Sequence, residues 1–183
     1  MLSKTEIDRL AELAHVGAVR AADAFAQLVG RPIATADPIV VKGDRLSDDR
    51  HATPAFDSDS TGVFFEFDGC LDAIVGILFE GDASEMLVRR IVGVETGVLP
   101  PTIIESALME VGNILASHVA SGIADQLESR LLPSIPSLAM SDAEAEFEIF
   151  IERAVGRDSE RIESQLSDEA GTLTGRLVLV PTG

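Results

Sequence analysis

Cysteine is represented once, by Cys70, which excludes an intramolecular disulfide framework and suits a reducing cytoplasm. Lysine is nearly missing too: Lys4 and Lys42 are the only two, against 31 acidic residues and a net charge of −17. So acidic a balance excludes a nucleic-acid partner, because phosphate binding needs a basic patch. No apolar run is long enough to span a membrane, and no charged-then-apolar leader follows Met1. A cytoplasmic protein without membrane insertion is therefore expected. Glycine-rich phosphate loops, a Ser/His/Asp arrangement and Cys/His metal spacings are absent as well.

What remains is a chain of 183 residues, 46% hydrophobic, enough to bury a core of normal density. It reads as a single domain over 1–183, or as two small halves sharing one core. The acidic residues are dispersed along the whole length and do not form a tail. Dispersed acidity with so little lysine suits a cytoplasm of multimolar salt, where screening removes self-repulsion. An ordinary acidic bacterial protein is the alternative.

Ser3-Lys-Thr-Glu6 is a capping-box pattern and predicts a helix running to Gly30 and Pro32. Small residues at Ala14, Gly17, Ala18, Ala21 and Ala22 would let another element approach it closely. Pro38–Val41 is a short extended piece, and about Gly43 to Thr61 a solvated hairpin or mobile loop. Val63–Phe67 and Leu71–Phe79 are strands turning at Asp68-Gly69, with Cys70 as buried filler. Asp82-Ala-Ser-Glu85 caps a short helix ending at Gly93. Thr102-Ile-Ile-Glu105 is another capping box, opening a second long helix to about Ser129. Ala145, Phe147, Ile149 and Ile151 alternate with glutamates, predicting a strand with one wet face. Arg161–Leu166 and Leu173–Val180 are further strands. The order favours an α+β fold, with long helices packed on an antiparallel β-sheet.

The chain also repeats itself. An offset of 98 residues lays Asp8 on Ser106, Glu12 on Glu110, His15 on Asn113 and Pro38 on Pro136. Half-repeats of about 1–98 and 99–183 related by a pseudo-twofold are expected. Residues three and four apart share a helix face, so Ser106, Glu110 and Asn113 form one polar line, extended by Ser117. Leu108, Val111, Leu115 and Val119 belong to the buried side. A lone acid and amide would pass for solvent-facing polarity; two copies with matched proline spacing ask for more.

Asp/Ser-x-x-x-Glu-x-x-Asn with a proline 23 residues on resembles the signature of the CheC/CheX/FliY phosphatases of chemotaxis. Ser106, Glu110, Asn113 and Pro136 fit it at every specified position. The run from Glu12 to Gln27 is also similar to the CheC first helix, and the duplication favours CheC over single-site CheX. The resemblance implies dephosphorylation of CheY, the response regulator that carries an aspartyl phosphate. By position it makes Glu110 the docking residue and Asn113 the one that orients the attacking water. It implies no cofactor of the chain's own, since Mg2+ would sit in the regulator, and a second partner, the deamidase CheD. At the first copy Asp8, Glu12 and Pro38 fit, but His15 replaces the Asn. Imidazole is bulkier and has a different reach, so a degenerate or docking-only surface is expected there. Glu12-x-x-His15 also suggests a di-iron ligand pair, but such sites need a second Glu-x-x-His and further carboxylates, and the second helix offers Asn113. His118 falls off the polar line and reads as packed or partly exposed. The competing function is a non-enzymatic adaptor of the same fold, binding a chemotaxis or motor-switch protein.

Overall fold

The computed structural model describes residues 2–42 and 55–183. Along the chain run helix α1 (Lys4–Val29), strands β1 (Ile33–Thr35), β2 (Ile39–Lys42), β3 (Thr61–Gly69) and β4 (Ala73–Phe79), and helices α2 (Gly81–Val92) and α3 (Pro101–Leu127). Strands β5 (Leu131–Pro133) and β6 (Ser137–Ala139), helix α4 (Ala143–Val155), and strands β7 (Glu160–Asp168) and β8 (Thr174–Pro181) complete it. Most of the loop expected from Gly43 lies outside the described residues.

The first helix starts as expected. The Ser3 hydroxyl accepts from the Glu6 amide at 3.3 Å, and the Ser3 amide donates to the Glu6 carboxylate at 2.7 Å. Gly30 then closes α1 in the left-handed region, at φ 71°. The other two caps are not built as expected. No side chain caps α3, which opens on Pro100 with Pro101 in its first turn; proline lacks the N–H that a cap would satisfy. Helix α2 begins at Gly81 after Glu80, again with no side-chain cap.

Among the described residues all strand pairs are antiparallel, in one eight-stranded sheet of order β1-β7-β8-β4-β3-β5, with β2 also on β7 and β6 also on β3. The two long hairpins, β3–β4 and β7–β8, meet at β4 and β8. The short strands after α1 pair with the hairpin of the second half, and those after α3 pair with the hairpin of the first. The short strands that follow each long helix are thus exchanged between the two hairpins.

Alternation along the strands buries both faces. Val63, Phe65, Val75, Ile77 and Leu179 join the core formed with α1 and α3. Phe64, Ile74, Leu78, Val178 and Val180 face α4 on the other side. That fourth helix corrects the strand expected at 145–151. Ala143, Phe147 and Ile151 are buried at i, i+4 and i+8, whereas Ile149 is exposed. Every second member of an alternating series also falls on a helical stripe, so a period of two did not exclude a helix. Of the glutamates expected to be wet, Glu146 and Glu152 are exposed but Glu148 is largely buried. Glu144 pairs with Arg176 and Glu148 with Arg161, two arginines buried in the sheet. Removing one partner of such a pair leaves a buried charge uncompensated. Gly76 makes room for the fourth helix, since a Cβ there would stand 2.5 Å from the Phe147 ring.

Asp168 ties the β7–β8 turn to the strand after α1. Its carboxylate accepts from the amides of Thr172 (2.8 Å) and Leu173 (3.0 Å), the Thr172 hydroxyl (2.7 Å) and the Arg31 guanidinium (3.0 Å). These bonds, the Leu173 amide first, hold the carboxyl well below the usual carboxylate range. A depressed folded pKa gives stability that is present above the ordinary Asp value of about 4 and lost as the pH falls below it. Asp168→Asn is therefore expected to lower Tm at pH 7, with the gap to wild type closing as the pH falls through the acid range. Thermal melts across that range check this; a gap that stays constant with pH contradicts it.

Candidate active site on helix α3

Helix α3 is divided lengthwise. Leu108, Val111, Leu115 and Val119 are buried, and Ser106, Glu110, Asn113 and Ser117 are exposed. The apolar residues recur at i, i+3, i+7 and i+11, which leaves the polar line on the face away from the sheet. Neither Glu110 nor Asn113 is tied to another side chain among the described residues. An acid and an amide are thus held out from a 27-residue helix whose far side is locked in the core.

Gly112, between them on the chain, sets how closely that helix approaches the sheet. A Cβ there would stand 2.5–2.8 Å from the three side-chain carbons of Val63 on β3. Only a residue without a side chain lets the backbone beside Asn113 reach the strand. Across β3, Val63 pairs with Leu138 of β6, and Leu138 packs against the cluster that Ala107 and Leu108 of α3 form with Val88. Pro136 immediately precedes that strand. The proline of the motif therefore enters the edge strand that supports α3. Gly112 was not among the sequence candidates. A glycine in mid-helix, costing about 1 kcal/mol against alanine, was the signal that could have found it.

On α1 the corresponding residues lie in corresponding places. Asp8 and Glu12 are exposed, and Pro38 immediately precedes β2 as Pro136 precedes β6. His15 differs: it is half-buried, and its Nδ1 is buried without a hydrogen-bond partner among the described residues. The two long helices cross closely where Gly17 meets Val119 and Ile123, and Gly122 meets Arg20. The small-residue stripe of α1 is thus used. His118 is exposed and Cys70 half-buried, not fully buried as expected. Among the described residues no three His, Cys, Asp or Glu side chains are grouped to hold a metal ion, and no helix is long and apolar enough to cross a membrane.

A model described as the CheC-like family matches residues 103–139. The CheY-P phosphatase CheC of Bacillus subtilis (strain 168) is 27% identical over 150 residues, covering 76% of this chain and 68% of that protein. Thermotoga maritima FliY superposes with a TM-score of 0.70 at 18% identity, over 100% of this chain and 92% of the other. CheX in a CheX–CheY–BeF3–Mg2+ complex from Borrelia burgdorferi gives a TM-score of 0.61 at 12% identity, over 91% and 95%. These last two likenesses speak for the fold. The family match takes in the helix that displays Glu110 and Asn113, and over that stretch the chain is similar to the CheC-like family.

Proposed function

We propose that this chain is a phosphatase for the aspartyl phosphate of a CheY-type response regulator. The observation that carries the reading is the acid–amide couple displayed on the outward face of α3, exposed and without a side-chain partner among the described residues. Glu110 docks the regulator, and Asn113 enters the regulator's catalytic cleft and orients the attacking water. An acyl phosphate is already reactive, so alignment of the nucleophile supplies most of the gain. An amide both donates to and accepts from water and does not titrate, which suits it to that task at any physiological pH. Mg2+ belongs to the regulator's own site, and a CheD-type deamidase is a second proposed partner. Support comes from the 27% identity to a CheY-P phosphatase.

The direct test is the decay of phosphorylated regulator, with Mg2+ present, in the presence of wild type and of Asn113→Ala. Equal decay with both would remove the phosphatase reading and leave an adaptor.

His15 permits a second measurement. Asp8, Glu12 and Pro38 occupy positions matching the α3 set, so the first site is proposed to lack only its amide. His15→Asn in the Asn113→Ala background is expected to restore regulator decay above that of Asn113→Ala alone. No recovery would mean that the α1 face does not admit the regulator.

A further inference from the structure

A groove of about 440 Å3 lies where the C-terminal ends of α1 and α2 converge. In a chain of net charge −17 with 14 basic residues, three arginines line it: Arg31, Arg89 and Arg90. The same walls carry Met86 and Val94, exposed at 39% and 38%.

Two of the arginines are partly engaged. Arg31 pairs with Asp168 at 3.0 Å; Arg89 pairs with Glu85 at 3.0 Å and donates to the Gly97 carbonyl at 2.7 Å. Arg89 Nη1 is nevertheless buried without a partner among the described residues. Arg90 has no acidic partner among the described residues, and its guanidinium lies against Gly30, where a Cβ would stand 2.5 Å from Nη2. Glu95 is the one acid on the groove wall. A cation near the end of α1 is favourable to the helix dipole, which accounts for Arg90 alone. It does not account for the buried donor on Arg89, nor for the exposed methionine and valine beside it.

Guanidinium groups take carboxylates in planar, two-bond geometry, and an unbranched methionine adapts to a variable apolar partner. We propose that this groove docks an acidic segment of a protein partner, with carboxylates on Arg89 and Arg90 and an intervening apolar side chain against Met86 and Val94. The acidic surface elsewhere repels such a segment, so charge also sets its register. A phosphate-only site is the poorer fit, because Val29, Met86, Val94 and Leu173 would gain nothing from a bare anion.

The probe is a fluorescein-labelled Glu-Leu-Glu-Glu-Leu-Glu peptide, titrated against the whole chain by anisotropy beside its Gln-for-Glu counterpart. The acidic peptide is expected to bind about tenfold or more tighter than the Gln peptide. Arg90→Glu and Met86→Asp should each remove that difference, Arg90→Gln should weaken it, and rising salt should erode it. Thermal melts show whether each variant is folded; both substituted side chains are exposed. Variants at Glu110 and Asn113 should bind the peptide as wild type does, which separates this result from the phosphatase assay. Equal binding of the two peptides, or unchanged binding by folded Arg90→Glu and Met86→Asp, would overturn the proposal. So would inorganic phosphate displacing the acidic peptide as effectively as the unlabelled peptide does.

Discussion

Asn113→Ala is expected to slow regulator dephosphorylation by about 100-fold or more while leaving Tm nearly unchanged. Its side chain is exposed and has no partner within the described residues, so truncation leaves no cavity and no orphaned buried group. The whole loss should therefore fall on the reaction. Misplacing a nucleophile by about 1 Å can cost about 100-fold, and removing the group that places it should cost no less. Glu110→Ala should divide differently, raising KM for the regulator with a smaller change in kcat, since docking is uniform binding. Single-turnover decay at saturating and subsaturating chain concentrations separates the two. An Asn113→Ala variant of full activity would sink the water-orienting role; a Glu110→Ala variant that loses only kcat would exchange the two assignments.

Gly112→Ala is the second large effect, and it acts from beneath. The added methyl would stand 2.5–2.8 Å from Val63, which is fully buried in the central part of the sheet. Neither side can yield alone, so α3 must lift or tilt. Overpacking of this kind costs about 1–3 kcal/mol, against which alanine's better helix propensity returns at most about 1. Tm should fall by several degrees, and phosphatase activity should fall further than Tm explains, because Asn113 moves with the backbone next to it. Val63→Ala in the same chain should recover only part of the loss, since the Val63 Cβ itself lies 2.7 Å from the new methyl. Wild-type stability in Gly112→Ala would show that the helix is not held against the strand as described.

The division of α3 was legible because its apolar residues recur at one helical spacing for more than two turns, and all of them proved buried. The first helix was legible for the same reason, with a side-chain cap to fix its start. The fourth helix was not. Its alternating apolar residues suited either period, and the deciding contacts are with Arg161 and Arg176, outside the helix and 13 and 32 positions beyond their partners. Strands of three residues, such as Leu131–Pro133, are too short to carry any period at all. The groove at Arg89 and Arg90 was hidden for another reason: it needs the end of α1, which nothing local to α2 reveals.

The exchanged edges have a consequence for how the chain is made. Strands β1 and β2 leave the ribosome early, yet the strand they pair with is among the last synthesised; Arg31 and Asp168 are 137 positions apart. At ordinary translation speeds the early pair waits roughly seven to thirty seconds for its neighbour. Through that interval unmatched amides and carbonyls are open to any other nascent strand. Two copies emerging side by side could lend each other the missing hairpin, so entangled dimers are the characteristic error to look for when synthesis is fast and crowded.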